Sequence, residues 1–353
     1  MVGLARLRSL ALLGVPVLVV VALAVLMISA TGHDVSDAAA AAWRGAAGSP
    51  FAVLSATLKR ATPLILLGVA LSVAFRAGVL NIGADGQFLA GAVACVVAAV
   101  HLPANAGALV VVPVELAAAA IAGGCWASVA AWLKARHRVT EVVSTLLLNF
   151  VALHFVGYLI RGPLQEPTGS YPQSLAIPAA ARLPLLVPGN RLHLGFVLAI
   201  AVAIAAWLYL RHAAGGFRVR AVGANLAASE SAGQIRVRAV QARVLVTSGA
   251  IAGLAGACEV AGVTYSVYEG LSPGYGYTAI GVALLAGLRP LLVVAAATFF
   301  GALGAGADAM QRDAGVPAEI AMVMTALVVL VVLATPSVRA LVRTHQLSPQ
   351  GTT

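Results

Sequence analysis

The residues able to do chemistry in this chain are few, and several gather where glycines interrupt apolar runs. One such place reads Phe75-Arg-Ala-Gly-Val-Leu-Asn-Ile-Gly-Ala-Asp-Gly-Gln-Phe-Leu-Ala-Gly-Ala92, with Asn81, Asp85 and Gln87 among four glycines. Irregular backbone and a carboxylate are tolerated at membrane depth only where protein or a water-filled path satisfies them. The plainer alternative is a surface turn in which Asp85 caps the following helix. An uncompensated carboxylate at depth costs about 2.5–3.5 kcal/mol on insertion scales. Asp85 is therefore expected to sit on helix N-terminal amides and, with Asn81 and Gln87, to fix broken helix ends rather than relay a proton. A second break, Gly270-Leu-Ser-Pro-Gly-Tyr-Gly-Tyr-Thr-Ala-Ile-Gly281, carries Tyr275 and Tyr277 before a short small-residue helix. Asn149 is a third polar interruption, inside the apolar run after Glu141.

Enzyme chemistry finds no support. The chain contains no G-x-x-x-x-G-K-[ST], so it has no P-loop for ATP phosphates, and no H-E-x-x-H. Its histidines, at 33, 101, 137, 154, 193, 212 and 345, do not cluster. Cys95, Cys125 and Cys258 lie singly in apolar stretches, without a CxxC pair or a histidine at metal-ligand spacing, and read as small buried hydrophobes. No metal site and no catalytic residue is expected. The acids Glu115, Glu259, Asp308 and Glu319 fall toward the outer ends of their spans, where hydration would ease a carboxylate, and only Glu259 invites a functional reading.

The elements that must position these residues are membrane helices. Of 353 residues, 61% are hydrophobic and 10% charged, where a soluble domain runs about 45–50% and about 25%. Apolar stretches at about 9–30, 61–80, 87–102, 107–133, 141–160, 193–210, 241–263, 276–288, 291–307 and 318–335 make an all-α polytopic membrane protein of about ten spans. With the N-terminus inside and strict alternation, 15 of the 22 basic residues fall inside, which favours both termini cytoplasmic. The net charge of +10 then belongs to the membrane face and not to a nucleic-acid partner. Lys59 and Arg60 fall outside and strain the rule. The first run, after Arg6 and Arg8, could be a signal peptide, but its length of over 20 residues without a clean A-x-A site favours a retained helix. Residues 1–344 read as one transmembrane permease domain, with a proline-rich extracytoplasmic cap at 161–192, a basic cytoplasmic loop at 211–240 and a disordered tail at 345–353.

In this topology the two Gly-rich breaks lie on opposite sides of the membrane, which suggests an inverted repeat of spans 2–5 against 7–10 and a path between the halves. Gly249, Gly253 and Gly256, and Gly301, Gly304 and Gly306, have the spacing that lets helices pack closely. An ion-driven carrier would need acids near the midplane; this chain has almost none there. A permease driven by a separate ATPase needs a short cytoplasmic helix to seat on it. In the 211–240 loop, Asn225 can cap a helix over 226–232 that Gly233 ends.

At these residues the sequence resembles the permease family of bacterial ABC importers for branched-chain amino acids, simple sugars and nucleosides. The matching pieces are Asn81-Ile-Gly-Ala-Asp-Gly-Gln87, Glu141-Val-Val-Ser-Thr-Leu-Leu-Leu-Asn149, Arg220-Ala-Val-Gly-Ala-Asn225 with Ala227-Ala228 and Ala232-Gly233, and Ala279-Ile-Gly-Val-Ala-Leu-Leu-Ala-Gly287, in order over most of residues 60–335. Phe75–Gly83 and Met310-Gln-Arg-Asp-Ala-Gly-Val-Pro317 look most like the nucleoside and simple-sugar branch, with nucleosides favoured. Asp85 departs from the glutamate expected there. The resemblance implies an inner-membrane importer subunit with a path along Asn81, Asp85, Gln87, Asn149, Tyr275 and Tyr277. It also implies that Gly223, Ala224, Asn225, Ala227, Ala228, Glu230, Ser231 and Gly233 couple to ATP-binding cassette subunits. Its further partners would be an extracytoplasmic solute-binding lipoprotein and a second permease, either this chain or a paralogue. ATP would be bound by the partner subunits and no cofactor by this chain. The alternative is an ion-driven secondary transporter of a small polar solute.

Overall fold

The computed structural model describes residues 19, 21–103, 106–231, 233, 235–317, 319, 320, 322–324, 326, 327, 330 and 331. Most of the first half of the 9–30 span, much of the 318–335 span, Ala232 and the tail 345–353 lie outside these residues. The described elements are helices: α1 (Val21–Ala30), α2 (Val35–Ala46), α3 (Pro50–Arg76), α4 (Ala84–His101), α5 (Ala108–His137), α6 (Glu141–Ile160), α7 (Gly195–His212), α8 (Ala214–Ala224), α9 (Leu226–Ser231), α10 (Val237–Thr264), α11 (Tyr275–Leu285) and α12 (Pro290–Ala314). The extended chain among them forms isolated β-bridges. Seven of these helices, α3 to α7, α10 and α12, are long and apolar enough to cross a membrane, while α1 and α11 are shorter apolar helices. The chain is a multi-pass membrane protein.

The chain divides into two units, one reaching to Thr57 and resuming at Ala302, the other Leu58–Gly301. In the first, Asp34 caps α2 by accepting from the N–H groups of Ser36 and Asp37. Ile28, Ala38, Met310, Val316 and Ile320 form its buried cluster. In the second, α10 is the central helix and packs on α3, α4 and α5, with α6 on α4 and α7 on α3. The hydrophobicity of α3 and α10 all round follows from this: 78% and 72% of their spanning windows are buried inside the protein, against 28% for α5 and α7. Gly253 lets α10 meet α5, since a Cβ there would come within 2.1 Å of the Ala119 carbonyl oxygen.

Several expectations are corrected here. The helix expected from 61 begins at Pro50, because Ser49 caps it by accepting from the Ala52 N–H at 3.1 Å and proline suits the first helical position. Lys59 and Arg60 are thus inside α3 rather than in a loop, and both lie in the electrostatic neighbourhood of buried Glu259. Two π-helical turns, Val53–Leu58 and Val260–Thr264, adjoin Lys59 and Glu259. Glu115 does not reach a hydrated end: it is fully buried beside Cys95, and neither carboxyl oxygen has a hydrogen-bond partner. Cys95 and Cys258 are buried, whereas Cys125 is exposed, since α5 turns much of its surface outward.

Candidate functional site

The two Gly-rich breaks meet. Helix α11 has 11 residues, about 16 Å of rise, roughly half of a 30 Å hydrocarbon layer. Its C-terminal end is tied to the end of α3, where Arg76 Nε donates to the Leu288 carbonyl at 2.6 Å. The N-terminus of α11 therefore lies about half a span away from the end of α3. The two breaks, expected on opposite sides of the membrane, are in direct contact, because the chain before this short helix reaches Asp85.

Asp85, the second residue of α4, supplies the bond between the two helix starts. Its Oδ1 accepts from the Ser272 hydroxyl at 2.6 Å and from the Gly276 backbone N–H, in the first turn of α11, at 2.9 Å. Ser272 Oγ in turn accepts from the Tyr275 N–H at 3.1 Å. A carboxylate between two helix N-termini meets the positive ends of both dipoles, which compensates much of its burial. Gly276 is sterically required, since a Cβ there would lie 2.5 Å from the Asp85 nitrogen.

The start of α4 is capped from other helices. The Gly86 N–H donates to Asn149 Oδ1 at 2.8 Å, and the Ile82 N–H donates to Thr145 Oγ1 at 3.2 Å. Asn149 Nδ2 donates to the Ile82 carbonyl at 2.9 Å and to the Tyr277 hydroxyl at 3.2 Å. Asn81 and Gln87 exchange amide hydrogen bonds at 2.9 and 3.0 Å; Asn81 also donates to Ser248 Oγ at 3.0 Å and accepts from the Gly83 N–H at 3.0 Å. Tyr275 packs edge-on against Phe88, with ring centroids 5.9 Å apart. The six residues read from sequence as broken-helix positions are thus brought into one junction. Ser272, Thr145 and Ser248 also belong to it. Thr145 was legible, being one turn before Asn149 on the same helical face. Ser272 sits in the Gly-rich break two residues before Gly274, the N-cap of α11, whereas Ser248 carries no signal in its small-residue run. A cavity of about 20 Å³, lined by Asp85, Leu89, Val156, Tyr268, Glu269 and Ser272, opens beside the carboxylate; it has room for about one water.

The 211–240 segment holds two helices, of which α8 was not foreseen. Asn225 Oδ1 accepts from the Ala228 N–H at 2.9 Å, capping α9, and Gly233, at φ +68°, donates its N–H to the Glu230 carbonyl at 3.0 Å. Ala224, Asn225, Ala227, Ala228, Glu230 and Ser231 are exposed, while Ser229 is buried. Gly223 anchors α8 to α3: a Cβ there would come within 1.8 Å of the Arg76 carbonyl oxygen. Behind α9 is a cavity of about 310 Å³, lined by Lys134, Arg138, Glu141, Glu230, Arg238 and Gln241 among others, where Lys134 and Glu141 pair at 2.9 Å. The positions expected from sequence to couple to an ATPase share none of the hydrogen bonds of the Asp85 junction.

The proline-rich stretch after α6 is a folded cap. Gln165 bridges to Ser174 and Leu185 to His193. The Gln173 amide and the Thr168 hydroxyl hold the Glu166 carboxyl below its ordinary pKa. Buried His193, whose Nδ1 accepts from the Gly195 N–H at 3.2 Å, wedges the cap against Gly262 at the end of α10. Among the described residues no group of His, Cys, Asp and Glu is arranged to hold a metal.

The family model for the branched-chain amino acid transport system permease component matches residues 53–333. The chain is 36% identical to the guanosine ABC transporter permease protein NupP of Bacillus subtilis, over 89% of this chain and 90% of that one. It is 38% identical to the glucose ABC transporter permease protein TsgB13 of Haloferax volcanii, over 78% and 75%. It is 29% identical to the nucleoside ABC transporter permease protein NupB of Lactococcus lactis, over 77% of each. No solved structure matches. With four-fifths of its length inside the family model, this chain belongs to the branched-chain amino acid transport system permease component family, and it is a transport subunit of an ABC importer rather than an enzyme.

Proposed function

We propose that this permease subunit forms the translocation path for a nucleoside, with a simple sugar as the alternative substrate, in an ATP-driven importer of a bacterial inner membrane. The observation that carries a path through the protein is the Asp85 junction, where the first turns of α4 and the short α11 meet and one carboxylate serves both. The substrate class rests on relatives named for guanosine, nucleoside and glucose transport. Asn81, Asp85, Gln87, Asn149, Tyr275 and Tyr277 hold the broken ends beside the path. The exposed, capped α9 with its flanks, Gly223 to Gly233, seats on ATP-binding cassette subunits that bind the ATP. An extracytoplasmic lipoprotein delivers the solute, and a second permease, this chain or a paralogue, completes the path. The chain to residue 344 acts as one permease domain of ten spans with both termini cytoplasmic. Its inverted repeat relates α4 and α11, whose starts face each other.

One observation favours the ion-driven alternative: the buried, unpartnered carboxyl of Glu115. Against it stand the membership of the chain in the permease family and the distance of Glu115 from a half-depth position, seven residues or about 10 Å into α5. The test is uptake of labelled guanosine and labelled glucose by cells lacking this gene. Loss of guanosine uptake, restored by the wild-type gene, is expected. Unchanged guanosine uptake with lost glucose uptake would move the assignment to sugars, and no change in either would overturn the substrate class.

A further inference from the structure

The cap and the segment 265–271 after α10 are stitched into one frame. The N–H groups of Ser174, Ile177 and Leu183 donate to the carbonyls of Val267, Tyr265 and Ala261 at 2.8, 2.8 and 2.9 Å, and the Val267 N–H donates to Ser174 Oγ at 2.9 Å. Gln173 bridges to Tyr268, the Arg182 guanidinium stands 4.4 Å over the Tyr265 ring, and Arg161 pairs with Glu269. Ile177, Val267 and Leu271 are buried. Beyond this frame the chain changes character. Gly270 and Gly274 both take left-handed conformations, at φ +81° and +83°, two residues to either side of Ser272. These are turns that glycine adopts without strain.

Ser272 makes the side-chain bond from this segment to α4, and it also holds the first N–H of α11. The cavity beside Asp85 is lined on the cap side by Tyr268, Glu269 and Ser272, and from α6 by Val156. At about 20 Å³ it admits no solute larger than water. We propose that Ser272 is the positioning residue that closes the cap-side route to the Asp85 junction: its hydroxyl, carried between two left-handed glycines, fastens Asp85, and release of that bond opens the cavity to a polar solute while cap and frame stay joined. This rests on the reading of the junction as part of the path. Ser272 acts through Asp85 and α11 and touches no solute in the closed form.

The experiment labels Val156→Cys with a maleimide in permeabilised membranes containing the full chain, with Cys125→Ala removing the exposed native thiol; Cys95 and Cys258 are buried. Ser272→Ala is expected to raise the labelling rate about tenfold, the factor for loss of one charge-assisted bond. Ser272→Thr, which keeps the hydroxyl, should keep it low. Ser272→Val, of the same shape as threonine but without the hydroxyl, should behave as Ser272→Ala and carries the test if the alanine variant does not accumulate. A Ser174→Cys and Val267→Cys disulfide locking cap to frame should leave the rise intact. Equal rates in Ser272→Val and Ser272→Thr would overturn the proposal, and so would suppression of the rise by the disulfide, since the opening motion would then be a lifting of the cap. Labelling needs neither solute nor ATP. A rise in labelling alongside a wild-type chain that carries neither nucleoside nor sugar would therefore refute the transport reading and leave the clasp standing.

Discussion

At the scale of residues, Asp85 works as an acceptor shared by two helix starts. Asp85→Asn keeps an oxygen that can receive the Ser272 hydroxyl and the Gly276 N–H, so it should retain much of the uptake. Asp85→Leu orphans both donors at depth, at about 1–3 kcal/mol each, and should lose assembly or transport. Uptake of labelled substrate by the two variants, normalised to protein in the membrane, checks this; wild-type activity in Asp85→Leu would mean that water replaces those bonds. Asn149 makes a parallel case. Its side chain serves the Gly86 N–H, the Ile82 carbonyl and Tyr277. Asn149→Leu should therefore lower the melting temperature of the detergent-purified protein by several degrees, while Asn149→Ser should lose less.

At the scale of elements, the sequence made some features legible and concealed others for physical reasons. Asn225 and Gly233 are local signals, and the short helix between them ends within a residue of where the pattern puts it. The glycine-rich breaks also announce themselves locally. Their meeting does not, because the bonds between Asp85 and residues 187 and 191 positions later depend on the length of α11, which hydropathy blurs into a full span. Helix α8 was hidden by its glycines, which here serve close packing, Gly216 against α7 and Gly223 against α3. Glu115 misled because depth along a helix does not show which face packs inward. If α9 seats on an ATPase, its exposed side has little tolerance for bulk or reversed charge. Glu230→Arg and Ala228→Trp are each expected to abolish subunit association or solute-stimulated ATP hydrolysis by the assembled complex. Unchanged association and hydrolysis in both would refute the coupling role.

At the scale of the whole molecule, the reading of 15 inside basic residues requires α9 and the cap to face opposite compartments. A single cysteine at Ala228 should resist an impermeant thiol reagent in intact cells and react in permeabilised ones, whereas one at Tyr171 in the cap should react in both. Labelling of position 228 from outside would reverse the topology and remove the ATPase from α9. The energy source is the claim most open to test: a subunit of an ABC importer is expected to draw on ATP held by partners and not on an ion gradient. The direct measurement is guanosine uptake by intact cells whose proton gradient is collapsed by an ionophore while their ATP is maintained. Uptake that continues at close to its ordinary rate is the predicted result, and uptake that collapses with the gradient while ATP stays constant would contradict it.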